Sequence, residues 1–435
     1  MIGDARAADL LTRLPGTWES FIASGASVVG LREAIGYLVE SDSFFARFDD
    51  RLKVRLPGPR IADFFAGCGG LSEGFVQAGF SLAFSNEIVS QFAESSYLNH
   101  LAPAESFHVG DIADLHINQA SRLQQLGVLD VVCGGPPCQG FSTANRQRLI
   151  DDPRNRLYRD YLSVLSILRP KFFVIENVRG MAARIDDISR DISDFMGPHY
   201  KFAYAFLNAA DFGVPQNRKR FFLVANRIGV SPERVFEGLK VLPKGRLGDA
   251  LAGLPELGTN AHRNRSDIEN DTVGYKIRLE TDVHTNEYVK KINNEISRKP
   301  ILSNRKWTLN HRNRFNNDRD VEIFKRLPPG GDSLHESIRD IMPYKNRDHI
   351  FKDKYYRLRD DAPCKTITSH MKLDCNMYIH PNQARGLSAR EAARVQSFPD
   401  DFLLRGSPNH WYTQIGNAVP VLLARTLAEN IRDLL

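Results

Sequence analysis

Ile61-Ala62-Asp63-Phe64-Phe65-Ala66-Gly67-Cys68-Gly69-Gly70 is the stretch on which the reading of the fold turns. An apolar run of strand length, Ile61 to Ala66, ends in a glycine-rich turn, and a helical pattern follows at once. Glycines at 67, 69 and 70 let the backbone bend tightly and come close to a ligand, as a nucleotide-type binding loop requires. Ser72 stands where a dinucleotide fingerprint has its third glycine, so the loop suits a ligand without a diphosphate. Further strand-like runs follow at Ser81 to Glu87, Val128 to Cys133, Phe172 to Glu176 and Phe221 to Ala225. Strands alternating with helices predict an α/β fold with a doubly wound, mostly parallel sheet, in which ligands sit at the carboxyl ends of the strands.

Outside this core the rhythm changes. Residues 1–58 carry apolar positions such as Leu10, Leu11, Leu14, Leu31, Ile35 and Leu38 at helical spacing and form an N-terminal extension whose role the sequence does not reveal. Residues 59–225 make the sheet domain. From 226 to 385 the chain is polar, rich in Asn and Arg and broken by turns such as Pro328-Pro329-Gly330-Gly331, which predicts a second, irregular domain. A helix signal returns at Ser388 to Gln396, where Ser388 and Glu391 have capping-box spacing, and residues 386–435 are read as returning to the sheet domain.

The 435 residues are 42% hydrophobic and 25% charged, enough for two cores, and no apolar run approaches the roughly 20 residues that span a bilayer. No signal peptide opens the chain, so it is expected in the cytoplasm and not at a membrane. The five cysteines lack the paired spacing of a zinc site or disulfide scaffold, so thiols and no metal are expected. The net charge of +6 is concentrated: residues 226–385 hold 30 Lys and Arg against 22 Asp and Glu, which suits a polyanionic partner for that region.

Five further segments carry chemistry. Glu87, ending the second strand, is placed to accept hydrogen bonds from ribose hydroxyls, and Asp111 of Gly110-Asp111-Ile112 can accept one from an adenine amino group. In Gly134-Gly135-Pro136-Pro137-Cys138-Gln139-Gly140 two prolines hold a cysteine in a stiff turn at a strand end, the wrong place to bury an apolar side chain and a suitable one for a nucleophilic thiolate. Glu176-Asn177-Val178 delivers a carboxyl group to the same edge, and Gln216-Asn217-Arg218-Lys219-Arg220 precedes the last strand of the sheet.

Together these segments resemble the DNA (cytosine-5) methyltransferases, particularly those of bacterial restriction-modification systems. The resemblance runs in the family's order from about residue 60 to the end, through Asp63 to Gly70, Ser85-Asn86-Glu87, Gly110-Asp111-Ile112, Pro136-Pro137-Cys138-Gln139, Glu176-Asn177-Val178 and Gln216 to Arg220. It continues in Arg390-Glu391-Ala392-Ala393-Arg394-Val395-Gln396-Ser397-Phe398-Pro399 and Gln414-Ile415-Gly416-Asn417-Ala418-Val419. It implies S-adenosyl-L-methionine as cofactor, bordered by Phe65, Gly67, Gly69, Gly70, Glu87, Asp111, Ile112, Pro137, Leu157 and Asn417. It further implies catalysis by Cys138, Glu176, Arg218 and Arg220 on a cytosine swung out of double-stranded DNA. Residues 226–385 then correspond to the target recognition domain. Residues 139–157, with Arg146, Arg148, Arg154 and Arg156, are expected to close over DNA phosphates. A monomer is expected, with a cognate restriction endonuclease acting on the same site.

Overall fold

Strand β1 (Arg60–Phe64) lies inside a seven-stranded sheet because Ile61 on one face and Ala62 and Phe64 on the other are apolar and buried, as in a strand covered on both sides. In this computed structural model residues 58–100, 102, 104–137, 155–259, 276–278, 286–293, 307–343, 354–400 and 402–435 are described. The predicted N-terminal helices, Cys138 and most of the 139–157 segment lie outside these residues. The sheet continues with β2 (Ser81–Glu87), β3 (Phe107–Val109), β4 (Val131–Gly134), β5 (Phe172–Asn177), β6 (Lys201–Asn208) and β7 (Lys219–Asn226), in the order β3-β2-β1-β4-β5-β7-β6. Strands β1 to β5 pair in parallel, while β7 is antiparallel to both β5 and β6.

Gln216, Asn217 and Arg218 precede β7, and Lys219 and Arg220 are its first two residues. Because β7 runs backwards, with Asn177 opposite Phe221, its start still reaches the edge where β1, β2, β4 and β5 end.

One face of the sheet is closed by α3 (Ile112–Ile117), α5 (Arg156–Leu168) and α6 (Ile185–Met196), whose Leu115, Tyr161, Leu165 and Ile188 join Phe64, Val132, Phe173 and Leu223 in one buried cluster. The short helix α4 (Ala120–Gln125) adds Leu123. On the other face α1 (Gly70–Gln77) packs against the C-terminal helix Val421–Arg432, and α2 (Ser90–Asn99) follows β2. The close approach of α1 requires its glycines: a Cβ on Gly74 would stand 2.4 Å from the Ala424 Cβ, and one on Gly70 2.7 Å from the Val419 oxygen. Among the described residues no helix is long and apolar enough to cross a membrane.

Contacts divide the chain into two units, with boundaries that differ from those expected. Among the described residues, the sheet unit holds Gly58–Gly213, Arg218–Pro243 and Ala418–Leu435, and the second unit holds Val214–Asn217 and those of Lys244–Asn417. Residues 226–243 therefore stay with the sheet, and only the segment from Ala418 returns to it, not that from 386. The reason is the anchoring of the helix Ala389–Val395. Arg390 donates to the carbonyls of Leu309, Pro399 and Phe402, and Arg394 donates to Ala252 O and Asp400, all within the second unit. The capping box is formed: Glu391 N donates to Ser388 Oγ at 3.1 Å and Ser388 N to Glu391 Oε2 at 2.7 Å. The unit also contains a two-stranded ribbon, Lys276–Arg278 with Trp307–Leu309, and a small core around Ile323, Phe324, Leu327 and Tyr355.

Candidate active site

The glycine loop leaves β1 through a strained residue. Phe65 has φ 56°, a left-handed conformation that a phenylalanine adopts at a cost, and such strain persists where surroundings impose it, often at functional sites. Its ring meets Tyr161 edge-on, 6.1 Å between centroids. Gly67 (φ 58°) follows, and among the described residues no atom lies within 4 Å of where its Cβ would stand, so the backbone there faces open space. Gly69 (φ 92°) has no such room, since a Cβ would sit 2.4 Å from the His100 ring.

Glu87, at the end of β2, ties this loop down. Its Oε2 accepts from Gly67 N at 2.8 Å and its Oε1 from Val89 N at 2.9 Å, each oxygen keeping a lone pair for another donor. Burial pushes its pKa up despite those bonds. Asp111 caps α3, its Oδ1 accepting from Ala113 N at 3.0 Å, while Oδ2 lies 3.4 Å from Arg156 Nη2. Ile112 is buried in the sheet-unit core, and Phe65 and Leu157 pack on the same cluster half-buried. Open space at Gly67, an apolar wall and two carboxylates at neighbouring strand ends fit an adenosine-bearing group in chemistry. Asn417 is different: the structure carries it at the end of the helix Pro408–Asn417, in the second unit.

On the next strands a second cluster forms. Glu176, near the end of β5, receives Arg220 Nε at 3.2 Å; their side chains are 13% and 19% exposed. Burial raises the Glu176 pKa, and the charges of Arg220 and Arg218 only partly offset that rise. Arg218 itself is buried. From β4 the chain enters Gly135 and Pro136; a Cβ on Gly135 would stand 3.2 Å from Glu176 Oε2, so the loop passes directly over the carboxyl group. Pro137 is exposed and is the last described residue before Cys138.

One residue in this cluster escaped the sequence reading. Asn177 Nδ2 donates to Pro136 O at 2.9 Å, and its Oδ1 accepts from Val178 N at 2.8 Å, so a side chain on β5 fixes the proline turn that leads to Cys138. Its position beside Glu176 was the available signal: adjacent strand residues point to opposite faces, and a polar one there needs its own partner. Among the described residues no group of His, Cys, Asp or Glu is arranged to hold a metal ion.

The described cysteines Cys68, Cys133, Cys364 and Cys375 are all buried, and burial raises the pKa of each thiol, which makes them poor nucleophiles. This edge thus brings together a carboxyl group whose pKa burial raises, Arg220 at 3.2 Å from it, a proline turn, and the carboxylates of Glu87 and Asp111 at the ends of the neighbouring strands.

Comparison with known proteins agrees. Residues 59–433 match the family model of C-5 cytosine-specific DNA methylases. The Type II methyltransferase M.AgeI of Thalassovita gelatinovora is 31% identical over 86% of this chain and 99% of its own length. M1.HphI of Haemophilus parahaemolyticus, also a Type II methyltransferase, is 32% identical over 85% of each chain. A prophage-encoded E. coli protein described as a DNA modification methyltransferase shares the fold, with a TM-score of 0.66 at 24% identity over 87% of this chain and 99% of its own. With the match spanning both units and every segment at the sheet edge, the chain belongs to the C-5 cytosine-specific DNA methylases and is a DNA (cytosine-5) methyltransferase.

Proposed function

We propose that this enzyme transfers a methyl group from S-adenosyl-L-methionine to carbon 5 of a cytosine flipped out of a specific duplex sequence, and that it protects DNA within a restriction-modification system. The observation that carries the site assignment is Glu176, with its pKa raised by burial, held 3.2 Å from Arg220 and overlaid by the turn that ends at Cys138.

Carbon 5 of cytosine is a weak nucleophile. The Cys138 thiolate adds to carbon 6, and Glu176 in its protonated form donates to ring N3, so the displaced electron pair makes carbon 5 enamine-like. Arg220 fixes the Glu176 carboxyl and holds the base's carbonyl oxygen, with Arg218 supplying further positive charge. The cofactor, when bound, supplies an electrophilic sulfonium methyl. Phe65, Gly67, Gly69, Gly70, Ile112, Pro137 and Leu157 of the sheet unit would border it, with Glu87 taking the ribose hydroxyls and Asp111 the adenine amino group; for Asn417 the same role rests on the family resemblance. Loss of the carbon 5 proton then expels Cys138 and restores the aromatic ring.

The second unit, together with the basic surplus of residues 226–385, reads the DNA sequence through base edges. A monomer suffices, since one chain carries both the chemistry and the reader. A cognate endonuclease would share the recognition site, and the cytoplasm is where cofactor and bacterial DNA meet.

The test is covalent. A duplex with 5-fluorocytosine at the target position blocks the final step, because fluorine cannot leave as a cation. Wild type with S-adenosyl-L-methionine is expected to give a complex that survives denaturing electrophoresis, Cys138→Ser none, and Cys68→Ser the same complex as wild type. Trapping by Cys138→Ser would sink the assignment.

A further inference from the structure

His108 stands behind the turn that carries Asp111 and has no role in the reading above. It lies on β3, 9% exposed, and a Cβ on Gly110 would stand 3.0 Å from its Nε2. The ring is therefore the wall against which the Gly110-Asp111 turn is laid, and a side chain at 110 would press on it. Arg122 Nη1 lies 3.2 Å from His108 Nδ1. A guanidinium has only donors, so Nδ1 accepts and the ring proton rests on Nε2. Burial and the nearby Arg122 charge push the His108 pKa below the ordinary histidine value, which keeps the ring neutral and Nδ1 open to that bond; Asp114 opposes them weakly.

Nε2 is buried with no acceptor among the described residues, so the Arg122 bond is what fixes the plane of the ring. Arg122 is itself held at three points: Nη1 donates to Gln119 Oε1 at 3.1 Å, Nη2 to Glu105 O at 2.9 Å, and its Cζ sits 5.5 Å over the Phe84 ring. From the other side Asn86 Nδ2 donates to Gly110 O at 3.0 Å and Gly110 N to Glu87 O at 3.1 Å. The turn is thus pinned by β2 and backed by one oriented imidazole.

We infer that His108, oriented by Arg122, is a positioning residue for recognition of the 6-amino group of adenine: it sets the Gly110-Asp111 turn so that the Asp111 carboxylate meets that group. The inference rests on the proposed adenine-binding role of Asp111. A loss of this support moves Asp111 without emptying the rest of the pocket, so it should weaken ligands that carry the amino group and spare those that do not.

Calorimetry with S-adenosylhomocysteine and S-inosylhomocysteine, which replaces the amino group by a carbonyl, reads this directly. Wild type is expected to prefer the adenosyl ligand by roughly tenfold or more, the scale of one hydrogen bond to a charged group. Both His108→Ala and Arg122→Ala should lower adenosyl affinity about tenfold while changing inosyl affinity less than about twofold. In His108→Gln the side-chain oxygen can still accept from Arg122, so most of the preference should return. If both alanine variants weaken the two ligands equally, His108 is only a packing residue and the inference falls. If Asp111→Ala abolishes the preference but the His108 and Arg122 variants keep it, the inference falls and the adenine reading stands. If Asp111→Ala keeps the preference, the adenine reading fails and takes the inference with it. Arg122 is half-buried on a helix, so its variant remains a test should His108→Ala not fold.

Discussion

Buried carboxylates are treated in opposite ways in the two units. In the sheet unit Asp63, Glu87 and Glu176 all have pKa values raised by burial, that of Asp63 to about 6. Their partners are backbone amides, the Ser72 hydroxyl at 2.6 Å, or an arginine at 3.2 Å. In the second unit Glu391 and Asp400 are equally buried, yet each faces an arginine through two short bonds: Arg385 at 2.6 and 2.8 Å, Arg394 at 2.6 and 2.8 Å. Those guanidinium charges outweigh the upward push of burial and hold Glu391 far below the carboxylate range and Asp400 at about 2. A carboxylate locked in a fork is spent on holding a fold. One buried with weaker compensation keeps its proton to higher pH, a state that clusters at functional sites.

The sharpest way to break this contrast is Glu176→Gln. Losing the acid while keeping a hydrogen bonder should slow methylation roughly 100 to 10,000-fold with little change in melting temperature. An unchanged single-turnover rate would make Glu176 as structural as Glu391. In the second unit the signs reverse: Arg394→Ala or Arg385→Ala strands a buried carboxylate and should destabilise by about 3 to 5 kcal/mol. A denaturant midpoint that does not move would show that the forks contribute nothing.

Glu87→Ala comes next, with cofactor binding weakened by about 1.5 to 3 kcal/mol, the range for hydrogen bonds to a charged group. Calorimetry on the folded variant checks it, and an unaltered affinity would remove Glu87 from the site.

The smallest effect is a pH dependence. Asp63 is protonated in the fold below about pH 6 but in the unfolded chain only below its ordinary 3.8. The folded state therefore binds more protons between these values, and stability falls as pH rises through that window. Relative to Asp63→Asn, wild type should lose on the order of 2 kcal/mol between pH 4 and pH 7. Asp400 contributes with the opposite sign, its stabilisation present above pH 4 and lost towards pH 2. Urea midpoints for wild type and Asp63→Asn that run parallel across pH 4 to 7 would refute the Asp63 assignment.

Much of this was legible in the residues. The run Ile61 to Ala66, apolar at every position but one, announced a buried parallel strand, and the glycines after it announced the loop. Ser388 and Glu391 announced their capping box. What was not legible depends on partners distant in the chain. β6, with Tyr204 and Phe206 exposed among the apolar Ala203, Ala205 and Leu207, has no alternation of apolar and polar residues, because as an edge strand it needs only one covered side. The reversal of β7 left no local trace either, since a strand's own pattern does not encode its direction.

The sequence by itself thus determined the reaction class. Short segments such as Pro136-Pro137-Cys138-Gln139 and Glu176-Asn177-Val178 carry their chemistry in the identity and order of residues, which no folding changes. Only the tertiary structure decided which groups meet. It brought Arg220 to Glu176 through an antiparallel strand, bound Asn177 to Pro136 across 41 residues of chain, set His108 behind Gly110, and kept residues 386–417 with the second unit. The reason is physical: burial and hydrogen-bond partnership set a side chain's charge state and aim, and both are properties of neighbours in space that the local sequence does not contain.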